Sequence, residues 1–581
     1  MLPLGVAGLK YFPIILFLIV VKLLTLYLSY RQTAAAYPGG GGAYIVATDN
    51  LGRFPGLLSA VMLLIDYLLN VCVGIAAGIG AVVSAVPALH PYVLTLCLVV
   101  LVTLTLLNLR GARQSGLVFI IPVVVFVVFM GAALMIGLVS LWQSGGHPQP
   151  IIPPPAIPPA SATVSAWLLL GAFANSATAL TGIEAVSNGV PLFRKPTVPN
   201  AQRTLTVIML ILGTFLLGIA FLCPAYHIGA MEETEPGYQT ILSQIVEAVA
   251  GRGIFYYITL ASIFIVLTYS AQTSFADFPR VCRLLAEDGF LPPYFAIRGR
   301  RLVFSHGIIF LSVISGLLLI AFRGVTDALI PLFAVGAFGA FLFSQAGMVM
   351  HWLRKKGRLF KVKLTYNAIG AATTAIALVV IVMAKFLEGA WITILFIPVL
   401  VFLLLSISRH YKKVALVVEH PLDLHASKLQ SPVAIIPIYA WDRVAEKAVR
   451  LALLLSDDIT AVHVTTEGDN PRILRELWAE KVEKPAKAAN SAVPRLEIIP
   501  SPYRRVQEPI LNFVKKMRKK NPDRLIAVII PELVEPHWYG YLLHNLHASR
   551  LRTSLFLARD NRTVVITSPW YWREEEADGK K

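Results

Sequence analysis

Charge is what this sequence has least of. Only 14% of its 581 residues are Asp, Glu, Lys or Arg, against about 25% in soluble domains. The shortage is uneven: of 33 acidic residues, 12 precede residue 409 and 21 fall in the final 173. A chain that is soluble throughout is excluded, and the composition divides it into a membrane part, 1–409, and a soluble part, 410–581. Cysteine is scarce too. Cys72, Cys97, Cys223 and Cys282 form no CxxC pair and lie mostly in apolar segments, which rules out a disulfide framework or a cysteine metal site. Glycine is rare from residue 410 onward, where Gly468, Gly540 and Gly579 are isolated, so a phosphate-cradling loop is missing there. No Ser–His pair, HExxH or metal-ligand spacing appears, and the 12 histidines are scattered. The chain does not read as an enzyme, and nothing in it calls for a cofactor.

Apolar length is what it has in plenty: 56% of the residues are hydrophobic and the mean hydropathy is +0.69. Runs near 11–30, 55–85, 91–108, 116–141, 164–188, 203–225, 251–275, 303–322, 327–351, 366–386 and 389–408 approach the ~20 apolar residues a spanning helix needs. The first run is long and no small-residue cleavage site closes it, so it is not a typical signal peptide. The net charge of +18 does not imply nucleic acid, because the basic residues sit in short loops between apolar runs and form no stripe on a soluble fold. Alternate loops hold 18 Lys and Arg on one side, from Arg31 to Lys363, and 4 on the other: Lys10, Arg252, Arg323 and Lys385. The richer side is expected to be cytoplasmic, with the C-terminal part. Met1 and the acidic cluster Glu232, Glu233 and Glu235 then fall outside.

Ionisable groups inside a bilayer cost at least about 2.5–3.5 kcal/mol at a helix centre, and those that persist mark function. Three qualify. Asp66 lies in LLIDYLLN, followed by Tyr67, with Asn70 one turn on and on the same face. An interhelical hydrogen bond that only binds the bundle together is the plain alternative for Asp66. Glu184 lies in FANSATALTGIEAVSNGVP, too rich in Ser, Thr, Asn and Gly for a lipid-facing span. Interrupted transporter helices use such stretches at the membrane midplane, so Thr181, Gly182 and Glu184 are placed at a binding site; a glycine kink with satisfied polar groups is the alternative. Lys22, in FLIVVKLLTLY, either pairs with a carboxylate or reaches an interface. Gly39–Gly42 read as a flexible turn, and SFADFPR (274–280) as a helix end broken by Pro279.

The segments YPGGGGAYIVA, NLRGARQSG, TALTGIEAVSNGVP, TSFADFPR, LAEDGFLP, RLVFSHGI and SQAGMVMHWLR occur in order along the membrane part. Together they resemble the amino acid–polyamine–organocation superfamily, and within it the KimA/YdaO-like branch, akin to the KUP potassium importers. The resemblance implies a five-plus-five inverted-repeat (LeuT-type) fold with two further helices, potassium uptake coupled to protons, and homodimers joined through cytoplasmic domains. It implies a potassium site of Asp66, Tyr67, Thr181 and Glu184. Asn70 and Gly74 stand where relatives carry Thr and Ser, and Phe333 where they carry Tyr. Eleven spans and an outside Met1 lead to the expectation that the family's first helix is absent from this chain. Two other readings remain at this stage: an amino-acid permease of the same fold, and a membrane-anchored sensor that has lost transport. Asp66 or Glu184 is also a candidate carrier of the coupling proton, since a desolvated carboxylate titrates upward.

From residue 410 the pattern changes to VAIIPIY (433–439), WDRVAEKAVRLALLL (441–455), ITAVHVT (459–465), LEIIP (496–500), a basic helix near 508–520, LIAVIIP (525–531) and RTVVITS (562–568). Short apolar strands alternating with amphipathic helices predict an α/β domain with a mostly parallel sheet. It resembles a universal-stress-protein domain. Without the glycine motif, neither ATP binding nor hydrolysis is expected, and dimerisation is its expected role. A cyclic-dinucleotide regulator is implied by the resemblance alone.

Overall fold

The computed structural model describes residues 9–40, 42–111, 116–157, 165–176, 182–235, 237–299, 304–357, 359–418, 429–465, 471–501, 506–534, 547–558 and 560–571. The chain forms two units, Met1–His420 and Pro421–Lys581.

The first unit is helical. Its helices are α1 (Phe12–Ala36), α2 (Gly42–Leu51), α3 (Arg53–Ala85), α4 (Val93–Leu109), α5 (Gly116–Gln143), α6 (Ala166–Ser176), α7 (Ile183–Asn188) and α8 (Thr197–Ala225). They continue with α9 (Ile241–Ala250), α10 (Ile254–Glu287), α11 (Ser305–Ala321), α12 (Thr326–Arg354), α13 (Phe360–Lys385) and α14 (Trp391–Val418). Among the described residues, eight helices are long and apolar enough to cross a bilayer, one of them running from Phe360 to Val418 through a kink at Gly389 (φ +123°). That long helix covers two of the eleven apolar runs. The shorter α11 and the pair α6–α7 account for the other two. This is a multi-pass membrane protein.

Burial sorts the helices. α3 and α12 are largely enclosed, and their small residues let backbones approach: a Cβ on Gly336 would lie 3.1 Å from the Asp66 backbone nitrogen, and one on Gly74 3.0 Å from the Leu267 carbonyl oxygen. α4 and α5 are the opposite case, presenting Val99, Val102, Leu106, Ile120, Ile121 and Val124 outward. Apolar surface of that kind is tolerated where the solvent is lipid.

Two elements differ from the sequence expectation. Pro279 does not end a helix: α10 runs on to Glu287, against Gly307, where a Cβ would stand 2.9 Å from the proline's own. The helix keeps going because tertiary packing there outweighs one lost backbone bond. The amphipathic α9 was not anticipated, since ten residues are too few to read as a span.

The second unit is a five-stranded parallel sheet in the order β3-β2-β1-β4-β5. Its elements are β1 (Val433–Ile438), α15 (Arg443–Leu455), β2 (Asp458–Thr465), α16 (Pro471–Trp478), α17 (Lys484–Ala488), β3 (Arg495–Pro500), α18 (Gln507–Lys520), β4 (Ile526–Val534), α19 (His547–Leu557) and β5 (Thr563–Tyr571). Strand periodicity builds three layers. Val433 and Ile435 pack with Ile510, Phe513, Val514, Leu551 and Leu555 from α18 and α19. Ala434, Ile436 and Ile438 pack on the other face with Ala445, Ala448 and Val449 of α15 and Trp478 of α16. Asp442 caps α15, its Oδ1 accepting from the Ala445 N–H at 2.8 Å.

Candidate functional site

The helix at Glu184 is interrupted. The described part of α6 reaches Ser176, and Gly182 stands before α7 with φ +92°, a left-handed backbone that stops a continuous helix. Among the described residues, apart from its chain neighbours, no heavy atom lies within 4 Å of where a Gly182 Cβ would be. Thr181 lies outside the described residues. In the first turn of α7, Glu184 is 4% exposed, and its Oε1 accepts from the Ala43 backbone N–H at 3.2 Å.

That contact brings in the glycine turn at 39–42, next to Ala43. Gly40 and Gly42, both at positive φ, lie against the end of α7. A Cβ on Gly40 would meet the Asn188 carbonyl oxygen at 2.5 Å, and one on Gly42 the Asn188 Oδ1 at 1.7 Å. Glycine here lets the start of α2 close onto the interrupted helix. Asn188 in turn donates from Nδ2 to the Tyr67 hydroxyl at 2.5 Å. The site is thus a chain of contacts from α2 through α7 to α3. Its closing signal in the sequence was the glycine run, which only the fold ties to Glu184.

Asp66 and Tyr67 are buried in the enclosed helix α3. Asp66 and Asp277 each lie within electrostatic reach of Glu184, and all three within reach of Tyr67. Asp277 carries no sequence signal of its own, because it lies past the apolar run 251–275, in the turn where Pro279 is expected to break the helix; it is 6% exposed and pairs with Arg280 at 3.1 Å. Asn70, on the Asp66 side of α3, donates to the Ser270 carbonyl at 3.1 Å and to Ser274 Oγ at 2.8 Å, joining α3 to α10. A cavity of about 430 Å³ is lined by Tyr67, Asn188 and Asp277 together with Arg283 and Arg298.

Three buried carboxyl or amide oxygens in this region find no hydrogen-bond partner among the described residues: Asp66 Oδ1, Glu184 Oε2 and Asn188 Oδ1. A buried acceptor left unpaired costs about 1–3 kcal/mol, and more for a carboxylate. All three accept and none donates, so they suit a cation or, at the carboxylates, a proton. Among the described residues no three His, Cys, Asp or Glu side chains converge as a metal-ion cluster. Two separated carboxylates with hydroxyl and amide oxygens are a donor set for a monovalent cation that sheds its water easily.

An interrupted helix with buried carboxylates that each keep one oxygen without a partner among the described residues, enclosed in a multi-pass bundle, defines the secondary-transporter class of site. The chain belongs to the amino acid permease family, whose sequence profile matches residues 3–405. The profile of the KimA potassium transporter C-terminal domain matches residues 430–570. The chain is also 36% identical over 558 residues to a protein named potassium transporter KimA of Bacillus subtilis (strain 168), covering 96% of this chain and 89% of that one.

Proposed function

We propose that this protein imports potassium across the cell membrane, driven by co-entry of protons. The observation that carries the reading is the set of unpaired acceptor oxygens on Asp66, Glu184 and Asn188 beside the interrupted helix. Potassium would be held by Asp66, Tyr67, Thr181 and Glu184, with backbone oxygen exposed at the Gly182 break. Asn70 would fix the helices that present them. The likeness to a protein named as a potassium transporter supports the same substrate. An amino-acid substrate is disfavoured, because its own carboxylate would meet two buried carboxylates. When either carboxylate takes the coupling proton, its hold on the cation weakens, which ties release to proton movement.

The loop charges support placing residues 410–581 in the cytoplasm. There the domain would join two copies into a homodimer. A cyclic dinucleotide would bind at the C-terminal ends of β1 and β4, where the strand order reverses direction around a cavity of about 540 Å³.

The test is rubidium uptake by proteoliposomes holding the purified chain, with and without an inward proton gradient. Accumulation that needs the gradient supports the reading. Uptake of a labelled amino acid without rubidium would overturn it.

A further inference from the structure

Lys22 lies near the middle of α1 and is 5% exposed. Its Nζ donates to the Gly370 carbonyl oxygen at 3.2 Å, Thr373 Oγ1 at 2.9 Å and Thr374 Oγ1 at 2.5 Å, all on α13. The sequence suggested a carboxylate partner or a snorkelling head group. The structure gives neither, because no carboxylate among the described residues is within ion-pair reach.

The charged groups on helices packed against α1 are Glu184 on α7, Arg203 on α8, Asp327, His351 and Arg354 on α12, and Lys361, Lys363 and Lys385 on α13. Cys223, Tyr366 and, on α1 itself, Tyr27, Tyr30 and Arg31 complete the titratable set. None is bonded to Lys22, and Lys385 is engaged with Glu388 at 2.5 Å.

A buried ammonium without a counter-charge is costly, and lysine is the basic residue that sheds its proton under such conditions. The shell accepts both forms. Toward an ammonium, the two hydroxyls accept and pass their own hydrogens on: Thr373 to the Ile369 carbonyl at 2.9 Å, Thr374 to Gln345 Oε1 at 2.5 Å. Toward a neutral amine, either hydroxyl can turn and donate to the nitrogen lone pair.

The same helices reach the cation site. α12 carries Gln345 and, further along, packs Gly336 against the backbone of Asp66. α1 carries Tyr30, whose hydroxyl feels the charges of Glu184 and Asp66.

We propose that Lys22 is a second proton site of the transport cycle, whose occupation by a proton weakens potassium binding at Asp66 and Glu184. This rests on the potassium-import reading. The amine takes a proton from outside water, becomes ammonium, and opposes the bound cation, so potassium leaves into a cytoplasm already rich in it. Release of the proton inside restores the amine. Tyr30 is eight residues from Lys22, about 12 Å along a helix. At that separation and an effective dielectric of about 20, one charge changes cation affinity by about tenfold.

The experiment measures rubidium affinity against pH for purified full-length wild type, Lys22→Gln and Lys22→Arg, together with gradient-driven uptake. Gln is uncharged and Arg keeps its charge at every pH. The expected result is that Lys22→Gln binds rubidium about tenfold more tightly than Lys22→Arg at one pH. Wild type should cross from the first toward the second as pH falls. Both variants should exchange rubidium yet lose accumulation driven by the proton gradient. Equal affinities in the two variants, or gradient-driven accumulation by Lys22→Gln at the wild-type level, overturn the proposal. Should Lys22→Arg fail to fold, Lys22→Met takes its place: it must match Lys22→Gln, and a wild-type pH profile in either overturns the idea. Absence of rubidium binding in wild type itself would instead overturn the potassium reading.

Discussion

Replacing Glu184 by Gln tests the cation site most directly. The amide keeps the size of the side chain, and its oxygen can still accept from the Ala43 N–H now held at 3.2 Å. Folding is therefore little disturbed, and the change isolates charge. A carboxylate about 4 Å from a monovalent cation contributes about 4 kcal/mol at an effective dielectric of about 20. Part of this is offset, because a neutral amide is easier to bury than a carboxylate. We expect rubidium affinity to fall by roughly 30- to 1,000-fold, using about 1.4 kcal/mol per factor of ten. The assay is rubidium uptake over a range of concentrations in bacteria lacking their own importers, with the amount of protein in the membrane measured alongside. An unchanged KM and rate in Glu184→Gln would refute the assignment of Glu184 to the site.

Gly42→Ala should impair transport, since the new Cβ would fall 1.7 Å from Asn188 Oδ1 at a residue with φ +52°. Left-handed backbone costs a non-glycine residue about 1–2 kcal/mol, and displacing Asn188 also breaks its bond to Tyr67. Gly39→Ala is the control, because among the described residues, apart from its chain neighbours, nothing lies within 4 Å of its Cβ position. Equal KM values for the two variants would remove the glycine turn from the site. Outside the spanning helices, Glu233 is pushed up to about 7, first by burial and then by the charge of Asp327, while its Oε2 accepts from the Thr326 N–H at 2.5 Å. Below its unfolded value of 4.5 both states hold the proton; above that, the folded state keeps one the unfolded chain has lost. Stability thus falls as pH rises from about 4.5 to 7, by up to about 3 kcal/mol. Glu233→Gln should abolish that fall, seen as a higher melting temperature than wild type at pH 8 and little difference at pH 5; parallel pH profiles would contradict it. Asp442→Ala removes the cap of α15 and should cost the C-terminal domain about 1 kcal/mol, read from denaturant unfolding of its sheet signal; an unchanged midpoint would show that the Ala445 N–H finds another partner.

The sequence by itself determined the type of each part, a helical membrane part and an α/β part. Apolar runs report spans because a bilayer leaves backbone no other partner than itself, so composition alone locates them. The alternation in VAIIPIY and ITAVHVT determined the sheet for a similar local reason: period two puts Val433 and Ile435 on one face and Ala434 and Ile436 on the other. Asp66 and Glu184 stood out because a lone carboxylate in a long apolar run has one environment to explain it. Only tertiary structure decided what meets them. Asp277 lies past the apolar run and just before the expected break at Pro279, and it is buried where α10 continues past Pro279 against Gly307, a contact between residues 28 positions apart. The glycine turn and Glu184 are joined across 141 residues, by a backbone N–H that carries no sequence signature. Lys22 was visible from the start, but its shell on α13 was not, since Thr373, Thr374 and Gly370 look like ordinary helix residues until packing brings them round an amine. Local pattern fixes which groups are unusual; which groups answer them depends on how helices distant in the chain are packed together.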